Sequence, residues 1–502
     1  MKQLMLSFHG DYPPPEILAS VRRGDTVSFC LFTHSNVVSP AQLYDLTSAI
    51  YAAAAEGGHL PPLIGIDQEG GQLMAVQQGA TELPGNMALG ATRSPELAEK
   101  AGAILGRELL AMGVNLNFAP SLDLNTNPAN PVIGIRSFGE DPELVAALGV
   151  AFIQGMQAEG VLATAKHFPG HGDTQQDSHL SMPVVVHTIQ RTTAVELTPF
   201  RAAVEAKVGA IMSAHILFTA YDSDNPATLS NAVLDGLLRH DMGYQGLIIT
   251  DAMDMHAVAQ YGHLESVQAA LKAGADLVML GHIPDQFQLG QEVAHLTNTA
   301  SLQRIEATQR QVRTERPPLS VVGSREHQHI AQAIADRSIT LVKDTHHRIP
   351  LQLGADELVS VISIAPLNLT PADTSAGVRV ALVDAIRRRH SLVQSIEIPY
   401  HAPDSHIRAA LEASQHSKTV IVGTINADND PSQAALVRAL VERGQQPIVV
   451  ALRTPYDIRA FPMIDTYLCA YGIRGVTTEA VARVLFGEIE ATGVLPCHIP
   501  ME

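Results

Sequence analysis

The chain contains no tryptophan, and aromatic residues make up only 4% of it. That scarcity excludes an open groove built from stacking platforms, and points instead to a small pocket if a ligand is bound at all. Cysteine is nearly as rare. Cys30, Cys469 and Cys497 lie far apart, odd in number and in no metal-ligand spacing, which suits a reducing compartment. Cys30 and Cys469 sit in apolar runs and read as small buried hydrophobes, whereas Cys497 lacks that context. Basic residues are in short supply, 33 against 51 acidic ones for a net charge of −18. A field of that sign repels phosphate backbones and anionic lipid, so neither nucleic acid nor a membrane surface is an expected partner. No window approaches the roughly 18 uninterrupted apolar residues of a membrane span. Met1–Gly10 has one lysine and a short mixed apolar run before Asp11-Tyr12-Pro13-Pro14-Pro15, unlike a signal peptide. The expectation is a soluble, cytoplasmic protein.

What the chain does have is a recurring pattern. Short apolar runs end in polar residues and are followed by helical spacing: Thr26–Phe32, Pro62–Ile66, Asn115–Ala119, Val161–Ala165, Val208–Ala214, Gly246–Thr250 and Ala275–Leu280. Runs of this length suit strands buried on both faces of a parallel sheet. Segments such as Pro95–Met112, opened by Ser94-Pro95, supply the helices between them. The alternation predicts an α/β fold, a (β/α)8 TIM-type barrel over 1–310, although only seven strands are found where eight are needed. Arg316-Pro317-Pro318 interrupts the pattern, and 311–325 reads as a linker. A second series (Leu358–Ala365, Thr419–Thr424, Pro447–Leu452, Thr466–Tyr471) predicts a smaller αβα sandwich over 326–502.

Asp67, Asp123, Lys166-His167, His215 and Asp251 each sit at or just past the end of a predicted strand. Any one of them alone reads as a helix cap or a loop charge. Together, in a barrel, they share one rim and converge on one pocket. The densest stretch is Lys166–His179, KHFPGHGDTQQDSH, with three histidines and two aspartates in 14 residues. A metal site is one reading of it, weakened by Lys166 and by the absence of paired-histidine ligand spacing. Acid/base work is the other. Asp177 is one residue removed from His179 and can fix its tautomer, and an imidazole with a pKa of ~6.5 can donate a proton and then accept one. Asp251 opens Asp251-Ala252-Met253-Asp254-Met255, apolar on both sides and without a neighbouring lysine. It suits a nucleophile that attacks an anomeric carbon, with His179 in place of the second carboxylate of the usual glycosidase pair.

These residues carry a resemblance. The chain resembles glycoside hydrolase family 3, and within it the β-N-acetylhexosaminidase branch, in Ile66–Gly71 (IDQEGG), Phe118–Pro142, Lys166–His179, Pro199-Phe200 and Thr250–Met255 (TDAMDM). Arg337–Lys343, Ala451–Asp457 and Leu485–Pro496 are similar to that family's second domain. The resemblance implies a retaining hydrolase of terminal β-linked N-acetylglucosamine, acting on a small carbohydrate substrate without metal or other cofactor. It implies Asp251 as nucleophile, His179 as acid/base and Asp177 as its partner, with Asp67, Arg136, Lys166 and His167 binding sugar hydroxyls. A place in cell-wall recycling goes with that branch. One departure stands out: after IDQEGG the family continues with Arg-Val, and this chain has Gln72-Leu73-Met74.

Other activities remain open from the residues alone. A neutral histidine does not repel phosphate, so phosphorolysis of the same bond is the nearest alternative. A broader β-glycosidase of the family is another, disfavoured by the Asp177–His179 pair. A metal-dependent barrel hydrolase would need a bound ion, and a non-catalytic sugar sensor would be expected to lack Asp251 or His179. The second domain is assigned no catalytic residue; Asn426 and the region of His401 are its candidates for facing the rim.

Overall fold

The computed structural model describes residues 1–501. Eight short parallel strands form a closed ring: β1 (Leu4–Met5), β2 (Ser28–Leu31), β3 (Leu63–Ile66), β4 (Leu116–Asn117), β5 (Leu162–Phe168), β6 (Ala210–Ser213), β7 (Leu247–Thr250) and β8 (Val278–Met279). Strands β2 to β7 pair in chain order, and β8 pairs with β1. Bridges from Leu6 to Phe29 and from Ile249 to Leu277 join the two groups. The eighth strand that the sequence pattern lacked is therefore the opening segment. At two residues, inside a mixed run, it has no local signature; pairing on both sides makes it a strand.

The other runs are continuously apolar because both faces of each strand are buried. Met5, Cys30, Leu63 and Ile249 fill the barrel interior, while Leu4, Leu31, Ile64 and Ile248 pack outward against helices. Three of those helices, Pro40–Glu56, Pro95–Ala111 and Pro142–Ala158, begin alike. Ser39, Ser94 and Asp141 accept an N–H of the first turn, and proline follows each cap. The last two pack at glycine: a Cβ on Gly102 would lie 2.0 Å from the Phe152 carbonyl oxygen, and one on Gly155 2.0 Å from that of Glu99.

The remainder of the chain carries a six-stranded sheet. Its strands are β9 (Thr340–Asp344), β10 (Val359–Ala365), β11 (Val393–Pro399), β12 (Thr419–Thr424), β13 (Ile448–Ala451) and β14 (Thr466–Cys469). They run in the order β9-β14-β13-β12-β10-β11, all parallel except β9. Two of the six were absent from the apolar series. β11 lies at the sheet edge and mixes exposed with buried positions, so its sequence, VQSIEIP, never becomes a continuous apolar run. β9 overlaps the stretch Arg337–Lys343.

Helix Arg325–Ser338 joins the two cores, with Ala331 and Ile334 packed into the first and Ala335 into the second. All three cysteines are buried, Cys497 included. Among the described residues, no helix is long and apolar enough to cross a membrane.

Candidate active site

The ends of β2 to β8 surround a cavity of about 430 Å³, within the range of roughly 300–1,000 Å³ common for small-ligand sites. Asp67, Arg136, Lys166, His167, His179 and Asp251 all line it. Asp177 stands behind His179, with its side chain 4% exposed.

Its floor is a buried charge network. The first residue past β3 is Asp67, and the loop carrying it turns back within a few residues, which brings Glu69 under the rim. Lys166, on β5, places its ammonium 2.7 Å from Asp67 Oδ1 and 2.7 Å from Glu69 Oε1. Arg136 donates to Glu69 through Nε at 3.0 Å and Nη2 at 2.8 Å. Burial alone would raise the Glu69 carboxyl, but Arg136 and Lys166 overcome it and hold it at about 2. Burial likewise opposes charge on Lys166, and the Asp67 and Glu69 carboxylates more than offset it, so its ammonium is held above its ordinary range. Fixed charges of this kind make strong, directional hydrogen bonds to hydroxyls.

His167 is oriented by Asp123, whose Oδ2 accepts from Nδ1 at 2.7 Å. Asp123 Oδ1 accepts the His171 N–H at 2.6 Å, and both oxygens face the His167 N–H. Those bonds and the neighbouring rings outweigh burial and hold Asp123 well below the usual carboxylate range. Asp123 itself is wholly buried.

Beyond Gly170 the loop rises to His179. Asp177 Oδ1 accepts from His179 Nδ1 at 2.7 Å and from its backbone N–H at 2.9 Å. A carboxylate can only accept, so Nδ1 carries the hydrogen and Nε2 is the nitrogen left for a ligand. Burial raises Asp177, but bonds from His179 and its charge win, and the carboxyl lies below its ordinary value. His171 braces the same loop, with Nδ1 2.9 Å from Thr174 Oγ1 and Nε2 3.1 Å from Ser178 Oγ. Burial pushes this ring down to about 4, so it is a neutral strut.

Asp251 follows β7 directly. Its Oδ1 accepts the Ala252 N–H at 2.8 Å. Burial opposes the charge, yet His167, His215 and His179 around it bring the carboxyl down to about 2. His215 donates from Nε2 to the Ala252 carbonyl at 3.0 Å, steadying the turn that carries Asp251. The cavity thus holds an anionic carboxylate and an imidazole with an available nitrogen beside fixed charges able to hydrogen-bond hydroxyls, a set that suits displacement at a sugar carbon. Among the described residues, no group of three or more His, Cys, Asp or Glu side chains is arranged to hold a metal ion.

Some contributors were missed in the sequence. Glu69 stands inside IDQEGG, where its one signal was a second carboxylate two residues after Asp67. His171 and Ser178 belong to the dense loop but were given no role. From the second domain, Pro371, Ala372 and Thr374 reach the cavity wall. Asn426 does not line it; its Oδ1 accepts from the Thr454 hydroxyl at 2.9 Å. His401 is likewise off the wall, its N–H held by Asp430.

Residues 14–315 match the glycosyl hydrolase family 3 N terminal domain. The chain is 30% identical over 554 residues to the beta-hexosaminidase A of Pseudoalteromonas piscicida, with 97% of this chain and 91% of that protein covered. It is 40% identical over 257 residues to the beta-hexosaminidase of Thiobacillus denitrificans, where 50% of this chain meets 70% of that protein. Among solved structures, a glycoside hydrolase family 3 beta-N-acetylglucosaminidase from Paenibacillus sp. superposes with a TM-score of 0.91 at 34% identity, covering 100% of this chain and 98% of the other. A beta-glucoside phosphorylase shares the fold, with a TM-score of 0.84 at 22% identity over 99% of this chain and 93% of its own. With its barrel, its sandwich and this rim, the chain belongs to glycosyl hydrolase family 3 and is a glycoside hydrolase.

Proposed function

We propose that the enzyme is a retaining β-N-acetylhexosaminidase that removes terminal, non-reducing β-linked N-acetylglucosamine. The observation that carries this reading is a shared cavity: ionised Asp251 and the Asp177-tethered His179 line it together. The names of the beta-hexosaminidase A and the beta-N-acetylglucosaminidase, each at least 30% identical over nearly the whole chain, support the choice of sugar.

In the first step Asp251 attacks the anomeric carbon while His179, as imidazolium, donates its Nε2 proton to the glycosidic oxygen. The C1–O bond breaks, the aglycone leaves protonated, and a covalent glycosyl-enzyme remains. Asp177 holds the imidazole in register. In the second step His179 Nε2 takes a proton from water as the oxygen attacks C1, releasing Asp251 and the sugar with its original β configuration. Asp67, Lys166, Arg136 and His167 hold the ring hydroxyls.

The test is hydrolysis of an aryl β-N-acetylglucosaminide beside the aryl β-glucoside, with and without phosphate, by wild type and Asp251→Ala. Preference for the N-acetyl sugar, indifference to phosphate and loss in the variant are the expected results. Turnover that depends on phosphate assigns the enzyme to phosphorolysis, and activity surviving in the variant removes Asp251 from the mechanism.

A further inference from the structure

The sandwich touches the cavity through one segment, Pro371–Thr374, in the connection between β10 and β11. The barrel grips it with both backbone and side chains. The Thr374 N–H and hydroxyl donate to the Gln72 carbonyl at 2.9 and 2.8 Å, and the Met74 N–H donates to the same hydroxyl at 3.1 Å. Gln72 Nε2 donates to the Ala372 carbonyl at 3.1 Å, and Gln72 Oε1 accepts from Arg453 Nη2 at 2.8 Å. Arg453 then pairs with Asp373 at 2.7 Å, the two side chains 8% and 0% exposed. Ala372 packs on Leu73, Val132 and Ile133.

This explains the departure from Arg-Val. Position 72 both donates and accepts, which an amide can do and a guanidinium cannot. Arginine there would face the guanidinium of Arg453.

The place of the segment matters more. Its barrel contacts named above lie in the loops after β3 and β4, which also carry Arg136 and Glu69. Asp251 follows β7, four strands further along the eight-strand ring and so across the cavity. A pyranose with C1 at Asp251 therefore directs C4 and its neighbours toward Pro371–Thr374. The Thr374 hydroxyl is already engaged on both sides, so the side chains that the segment offers to that end of the sugar are the hydrocarbon of Pro371 and Ala372. A second sugar attached there would meet a wall and lose water without replacement.

Building on the glycosidase reading above, we propose that Pro371–Thr374 is the stop that confines the enzyme to the terminal sugar. The Gln72–Arg453–Asp373 set is its positioning element. Exo-specificity in this chain is then a contribution of the sandwich, made across a domain interface.

The test compares kcat/KM for an aryl β-N-acetylglucosaminide with that for its 4-O- and 6-O-methyl derivatives. Wild type discriminates strongly against the capped sugars. Arg453→Met combined with Asp373→Asn, which leaves no unpaired buried charge, lowers the ratio by about tenfold or more through KM for the capped substrate. Arg453→Lys retains most of the discrimination. Pro371→Gly with Ala372→Gly, which loosens the segment without touching a charge, gives the same relaxation should the first variant fail to fold. A ratio unchanged in a folded variant, or a wild type indifferent to the caps, overturns the proposal. So does a parallel fall in kcat on capped and uncapped sugars, which would mark Arg453 as merely structural. Failure of every enzyme form on the uncapped glycoside would instead overturn the N-acetylhexosaminidase reading itself.

Discussion

Glu69 in the barrel and Asp457 in the sandwich are both buried carboxyl side chains, 3% and 0% exposed. They ionise in opposite senses. Glu69 sits between Arg136 and Lys166 and is held at about 2. Asp457 receives one bond from the Thr424 hydroxyl at 2.6 Å, and burial beside the Asp428 carboxylate pushes it up to about 8. Desolvation acts on both, so the difference lies in the neighbours. The barrel rim keeps its carboxylates charged, as the proposed binding of hydroxyls and attack by Asp251 require. In the sandwich Asp457, which has no cation beside it, is held toward its neutral form, whereas Asp373 stays charged against Arg453.

The contrast can be broken most severely at Asp251, the carboxylate proposed as the nucleophile. Asp251→Asn is expected to reduce kcat on the N-acetylglucosaminide by on the order of 10⁴ or more, with the fold intact by circular dichroism. His179→Ala comes next, with a loss of about 10²–10⁴ on poor leaving groups and far less on activated aryl glycosides. Equal losses on both classes would remove His179 from the acid/base role.

Glu69→Gln strikes the network itself. It leaves Arg136 and Lys166 short of a buried counter-charge, with an expected cost of about 3–5 kcal/mol, read as a lower denaturation midpoint. The sign of the pH dependence follows from the lowered carboxyl. Glu69 adds stability above its unfolded pKa of ~4.3, and that contribution is lost as pH falls toward about 2. The variant should lack this acid-limb loss.

Asp457→Asn is the mildest change and carries the opposite sign. A carboxyl raised in the folded state costs stability as pH climbs from its unfolded value of ~3.9 through about 8. Wild type should therefore soften across that window, and the variant should not. Thermal unfolding followed from acid to mildly alkaline pH separates the two slopes. If the variant tracks wild type throughout, the Asp457 carboxyl is not the raised group.

Much of the site was readable because barrel chemistry is written at strand ends. Asp67, Lys166, His167 and Asp251 each close a buried apolar run, and a parallel barrel brings all such ends to one rim. The loop Lys166–His179 announced itself by density. β1 was not readable, since two residues carry no period, and the edge strand β11 was masked by its exposed positions. Glu69 was visible as a residue but not as the hub joining Arg136 and Lys166, because the two lie 67 and 97 positions away in the chain. In the sequence Gln72 stands out only as a missing arginine. Its partners, Arg453 and Asp373, belong to the other domain, and no local pattern relates them.

By itself, then, the sequence determined the architecture of buried strands and capped helices, along with the identity of the charged groups at the barrel mouth. Those features rest on periodicity, cap chemistry and short-range spacing, which are local. Tertiary structure alone decided which strand closes the ring, which carboxylates meet a cation and which meet another acid. It also decided that a sandwich loop walls the cavity at the barrel mouth. Each of these depends on contacts between residues remote along the chain, where burial and the charge of a neighbour set the outcome.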